Sequence, residues 1–157
     1  MACITGPHGV VTAEERLEGY RNALAEAKLR LDRKMIVHGD GKPEGASAAI
    51  AKLLALPRRP TAILCYNDMS ALGAMHELRS AGVRIPEDIS VVGFDDIALA
   101  AYSSPALTTV KQDWAKIGNE LVRIVLGLLD GTVDQASSRI ALPTELIVRA
   151  STAPPRL

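Results

Sequence analysis

The chain has 157 residues, 48% of them hydrophobic, enough to bury the core of one ordinary domain but short for a two-lobed binding protein. Its 18 Lys+Arg are balanced by 18 Asp+Glu, and a net charge of zero excludes the basic excess that drives binding to a phosphate backbone. The start has no basic stretch followed by an apolar one and no run reaches membrane-spanning length, so neither secretion nor membrane insertion is expected and the cytoplasm is the expected compartment.

Residues 2–5 read as the end of a buried strand, so the chain is expected to begin mid-fold. Thr12-Ala13-Glu14-Glu15 has the pattern of a capping box and predicts a helix running to about residue 31. A short strand at 35–37 precedes a helix over 46–56, with Ile50, Leu53 and Leu54 at helical spacing and Pro57 as its stop. Residues 61–66 predict a strand buried on both faces. The next helix runs from 68 or 70 to 80, with Ala71, Leu72, Met75 and Leu78 as its apolar stripe and Gly82 just past its end.

Residues 89–94 have the pattern of another central strand, and 106–110 of a further one. Ile117, Leu121, Ile124, Val125 and Leu128 mark an amphipathic helix ending near Gly131. Short strands are expected at 139–142 and 145–150, a loop at 134–138 and a frayed tail at Pro154-Pro155. Alternating strands and helices with short connections predict a mostly parallel α/β sheet, because parallel neighbours need crossovers that cover both faces.

Four apolar runs end in polar clusters: Thr5-Gly6-Pro7, Gly39-Asp40, Asn67-Asp68 and Gly93-Phe94-Asp95-Asp96. In an open parallel sheet, ligands bind beyond the carboxyl ends of the strands, so these clusters hold the candidate site residues. Cys3 and Cys65 sit inside apolar runs without a CxxC partner and read as buried reduced thiols. His8, His38 and His76 fall on separate elements with no metal-binding spacing, and Gly6-Pro7-His8-Gly9 lacks a phosphate-loop pattern. No nucleophile and base pair stands out, and adjacent carboxylates such as Asp95 and Asp96 usually point apart. Neither catalytic residues nor a metal or cofactor is expected.

Further phrases carry a resemblance. They are Glu15-Arg16-Leu17-Glu18-Gly19-Tyr20-Arg21, Asn67-Asp68-Met69-Ser70-Ala71-Leu72-Gly73 and Ile85-Pro86-Glu87-Asp88-Ile89-Ser90-Val91-Val92-Gly93-Phe94-Asp95-Asp96. Leu107-Thr108-Thr109-Val110-Lys111-Gln112-Asp113 and Leu142-Pro143-Thr144-Glu145-Leu146-Ile147-Val148-Arg149 complete the set. Together with Thr5-Gly6-Pro7, these phrases resemble the effector-binding core of LacI/GalR-type bacterial transcription regulators. The resemblance implies a three-layer, periplasmic-binding-protein-like fold, of which this chain carries mainly the C-terminal lobe. It further implies that 1–111 is part of that lobe, that 112–136 is a crossover helix belonging to the N-terminal lobe, and that 137–157 returns to the C-terminal lobe and tail. The helix-turn-helix and most of the first lobe are absent, so a truncated product is expected, with operator DNA as a partner only through the missing head.

By the same resemblance the effector is a small molecule: a sugar, a sugar derivative or a nucleoside-like compound. Arg16 matches the family's effector-binding arginine, a five-donor fork suited to vicinal hydroxyls or a carboxylate; a surface arginine paired with Glu14 or Glu15 is the alternative. Asp95 matches the effector-binding aspartate, while Asp96 reads as a cap for the following turn. Asn67 is expected to touch ligand and Asp68 to be structural, with helix capping as the competing role of Asn67. Asp40 holds the equivalent place after the second strand. Trp114 matches an aromatic position lying against ligand, with interlobe packing as the alternative; Gln112 and Asp113 read as hinge or capping residues. Gly41-Lys42-Pro43-Glu44-Gly45 is one residue shorter than in many relatives and lacks their aromatic platform. Ala71, Leu72, Met75, Leu99 and Tyr102 are expected to form a homodimer contact, with core packing as the alternative. A solute receptor of a sugar transport system is the competing function, since it shares the fold.

Overall fold

The computed structural model of the chain describes residues 1–134 and 140–155. Its elements are β1 (Ala2–Thr5), α1 (Val11–Glu26), a 3-10 turn (Arg33–Met35), β2 (Ile36–His38), α2 (Pro43–Leu54), β3 (Ala62–Cys65) and α3 (Asp68–Ser80). They continue with β4 (Ser90–Asp95), α4 (Ala98–Tyr102), β5 (Thr108–Lys111), α5 (Trp114–Asp130) and β6 (Glu145–Ile147). Two compact units result, one of Met1–Val110 with Leu146–Leu157, the other of Lys111–Glu145.

The expected α/β architecture is present, with a sheet in the order β2-β1-β3-β4-β5-β6. β1 pairs in parallel with both β2 and β3, and β3 with β4, so these strands end at one edge. Alternation along β1 divides its side chains between two cores. Ala2 and Ile4 join Ile63, Val91 and Leu107 against α2 and α3, where Ile50, Leu53, Met75 and Leu78 are at most 1% exposed. Cys3 faces the other way and packs with Tyr20 and Leu24 of α1. Burying each such large side chain stabilises the fold by about 1.5–3 kcal/mol. The α2 and α3 axes approach closely because Gly73 has no side chain: a Cβ there would meet the Pro43 backbone at 2.5 Å.

Several expected boundaries change. α1 begins after Val10, which is extended and offers no side-chain cap, and the Thr12 hydroxyl lies 3.1 Å from Tyr66 Oη instead of closing a capping box. The helix also stops at Glu26 rather than near residue 31. Lys28 adopts φ 55°, its N–H donates to Ala25 O and that of Leu29 to Leu24 O, a Schellman closure built on a lysine. The same closure ends α3, where Gly82 and Val83 donate to Arg79 O and Leu78 O. Residues 140–142 form no strand; residue 139, and 135–138 of the expected loop, lie outside the described residues. α4 spans Ala98–Tyr102, with Ile97 extended just before it.

The dimer expectation must be corrected for two of its five residues. Ala71 and Met75 are 0% and 1% exposed inside this chain's own core, so they have no surface left for a partner. Leu72 is half-buried, while Leu99 and Tyr102 are 57% and 86% exposed.

In the second unit, Asp113 caps α5 by accepting from Lys116 N, and Gly131 ends it. Of the expected apolar stripe along this helix, Leu121, Val125 and Leu128 are exposed, while Ile117 and Ile124 are half-buried. Among the described residues no helix is long and apolar enough to cross a membrane.

Candidate functional site

Parallel pairing brings the ends of β1, β3 and β4 together, and α1 carries Arg16 over them. The Arg16 Nη1 donates to Tyr66 O at 2.6 Å, and its Nη2 lies 3.5 Å from Asp95 Oδ1. Its guanidinium carbon sits 3.7 Å from the Phe94 ring centroid and 4.7 Å from that of Tyr66. Such cation–π contacts contribute about 0.5–2 kcal/mol and fix the plane of the fork. Arg16 therefore pairs with Asp95 across the fold, not with Glu14 or Glu15. Both side chains keep about a fifth of their surface, 21% and 22%, so the pair is held yet open to a ligand.

Tyr66 fits because Gly6 makes room: a Cβ at that glycine would meet the ring at 2.7 Å. Tyr66 and Phe94 are the site residues that sequence reasoning passed over. A signal existed, because the chain has one Phe, three Tyr and one Trp, and two of these five scarce rings stand at polar strand ends.

Asp95 occupies an uncommon backbone conformation, φ 114°, followed by Asp96 at φ 53°. A buried network holds this turn. Asp68, fully buried, accepts from Ile97 N at 2.9 Å and from the Thr109 hydroxyl at 2.5 Å, and Asp96 N donates to Thr109 Oγ1 at 3.4 Å. Burial pushes the Asp68 carboxyl above its ordinary range, while the bonds from Thr109 and Ile97 act against that rise. Asp96 does not cap α4. It accepts from Arg149 Nη2 at 2.6 Å, and Arg149 also donates to Leu107 O at 2.8 Å, tying the C-terminal segment to the turn.

Asn67 takes the capping role that competed with ligand contact, and Asp68 is the buried centre of the network just described. Asn67 is the α3 cap, accepting from Ser70 N at 2.9 Å, and its amide donates to Gly41 O at 3.0 Å. That bond brings the loop after β2 to the same strand ends, where Asp40 is exposed and accepts from Lys42 N at 2.9 Å. Trp114, 57% exposed, opens α5 in the second unit.

The thiols of Cys3 and Cys65 are free and buried, and burial raises that of Cys3 to about 12. His8 and His38 meet, with ring centroids 4.2 Å apart and His38 Nδ1 3.0 Å from the Thr5 hydroxyl. No group of three metal-binding side chains is gathered among the described residues.

What this geometry can do is bind. A clamped guanidinium and an adjacent carboxylate present donors and acceptors on a shelf of two aromatic rings, the combination that reads hydroxyls or ring N–H groups.

The periplasmic binding protein-like domain family matches residues 1–152. The HTH-type transcriptional repressor PurR of Vibrio cholerae serotype O1 (strain M66-2) is 44% identical over 126 residues, which are 80% of this chain and 38% of that repressor. A transcriptional regulator CelR–cellobiose complex superposes with a TM-score of 0.90 at 36% identity, covering 96% of this chain and 46% of the other. The lac repressor dimer bound to operator and the anti-inducer ONPF gives 0.88 at 33% identity, covering 96% and 51%. The chain thus spans less than half the length of the curated relative it matches.

Proposed function

Since the chain belongs to the family of periplasmic binding protein-like domains, on its LacI/GalR regulator branch, we propose that it is the effector-sensing part of such a regulator. The observation that carries this reading is the Arg16–Asp95 pair, stacked on Phe94 and Tyr66 at the strand ends. Arg16 and Asp95 grip the effector's polar edge, and the two rings take its apolar face. Asn67 and Asp40 shape the rim through the Gly41 loop. The effector is a small polyhydroxylated or nucleoside-like molecule. Cellobiose, the ligand of one structural neighbour, places disaccharides in the first panel to be tried.

The task is binding rather than turnover, as in the repressors that the chain resembles, and these favour a regulator over a transport receptor. Effector binding favours one conformational state and so alters how a cytoplasmic homodimer engages operator DNA, through a helix-turn-helix outside this sequence. The segment 112–136 is the crossover that the family places in the other lobe. The exposed apolar side chains of α5 support that assignment.

A thermal-shift panel of sugars, sugar phosphates, sugar acids and nucleosides tests the reading, run on this chain and on any longer product of its gene. A ligand that binds only the native state raises its melting temperature. A saturable shift from one chemical class is the expected result; no shift in either form would overturn the proposal.

A further inference from the structure

The polar strand ends occupy one edge of the parallel sheet, and a second polar concentration lies where β2 and β3 begin. The segment leading into β2 carries Lys28, Arg30, Arg33 and Lys34, and the turn leading into β3 carries Arg58 and Arg59. Six of the chain's 18 cationic side chains thus fall on two segments that carry one carboxylate between them, Asp32, although the whole chain has no net charge. The two segments enclose space. Arg30, Asp32, Arg33, Lys34 and Arg58 line an open cavity of about 640 Å3. Arg30, Asp32 and Arg58 are shared with a neighbouring cavity of about 300 Å3, which Arg59, Met35 and Pro60 also border.

The charges here are not neutralised by the fold. Among the described residues, the salt bridges involve none of these six side chains. The Asp32 carboxylate accepts from the backbone N of Lys34 at 2.9 Å, and the Arg59 Nε is held by Leu54 O at 3.1 Å. Like charges around one concavity repel, and an anion seated among them relieves that repulsion. Guanidinium forks match phosphate oxygens two at a time, and lysine adds point charge.

We propose that this end of the sheet is a binding site for a small multivalent phosphate, a pyrophosphate or tripolyphosphate group, free or carried on a nucleotide. The size of the concavity is that of a small-ligand site. A nucleic-acid surface would instead need a basic stripe and a cationic excess over the molecule, and the net charge is zero. The site lies at the opposite end of the strands from Arg16 and stands independently of the effector reading.

Calorimetric titration with tripolyphosphate at fixed ionic strength tests it, with sulfate and a short random-sequence DNA duplex as comparators. Saturable binding of one tripolyphosphate per chain is expected. The Arg33→Ala/Arg58→Ala variant weakens it by about tenfold or more, the loss expected when charge-assisted hydrogen bonds are removed. Arg16→Ala leaves it unchanged. Both substituted arginines are exposed, and an unaltered circular dichroism spectrum of the variant confirms that the loss is local. Absence of saturable binding, equal binding of sulfate, or indifference to the double substitution overturns the proposal. Tighter binding of the duplex also overturns it and assigns the surface to nucleic acid.

Discussion

Arg16 spends one N–H on a backbone carbonyl and packs its guanidinium against two aromatic rings, so its position is set before any ligand arrives. That lowers the entropy cost of binding, which a free surface arginine would meet in full. Arg16 and Asp95 were legible because each lies within a phrase of recognisable spacing. Their aromatic supports were not, since the roles of Tyr66 and Phe94 depend on β3 and β4 being neighbours in the sheet. The capping role of Asn67 has a similar cause: either residue can cap a helix, and the partner that claims Asp68 is Thr109, far along the chain. Because the Asp68 carboxyl is raised from 3.8, the folded state holds its proton more tightly than the unfolded chain. Its contribution to stability therefore falls as pH rises from the unfolded value through the folded one. Asp68→Asn removes this titration, so the stability of the natural protein relative to the variant should decline as pH rises above 3.8. Urea unfolding of both proteins across that range measures it, and a difference that does not change with pH would refute it.

At the scale of elements, helix ends divide the readable from the unreadable. α3 ends at Gly82 and α5 at Gly131, residues that announce a left-handed terminus, whereas α1 ends on Lys28, which announces nothing. The start of α1 misled for a different reason. Thr12 fits a capping pattern, but its hydroxyl is used by Tyr66, a contact made across the fold. The central strands β1, β3 and β4 were read well because burial leaves continuous apolar runs, whereas 140–142, expected within a strand, form none. For α3, Asn67→Ala should lower unfolding stability by about 0.5–2 kcal/mol, and Asn67→Asp should recover most of it, since aspartate caps equally well. Denaturant melts of the two variants decide the matter; an unchanged midpoint in Asn67→Ala would remove the capping role. That loss also frees the Gly41 loop, so any effector affinity should fall with it.

At the scale of the molecule, parallel pairing gathers strand ends contributed by distant parts of the sequence, and so makes a site from residues as far apart as Arg16 and Asp95. This architecture was legible, because the alternation of strands and helices leaves few other ways to cover both faces of a sheet. Which apolar residues remain outside was not, since the Ala71 and Met75 stripe reads alike whether it faces a partner or the core. With those two buried, the proposed homodimer rests on Leu72, Leu99 and Tyr102. Leu99→Glu/Tyr102→Glu should convert a dimer into a monomer in sedimentation experiments, because both charges would be desolvated at the contact. A natural chain that already sediments as a monomer would count against this interface. For the effector site, the deciding measurement is the calorimetric affinity of the best ligand for the natural protein and for Arg16→Ala. Loss of the fork should weaken binding by about tenfold or more, as expected for hydrogen bonds to a charged group. Equal affinity in the two proteins would contradict the assignment of the sensing site to the Arg16–Asp95 cleft.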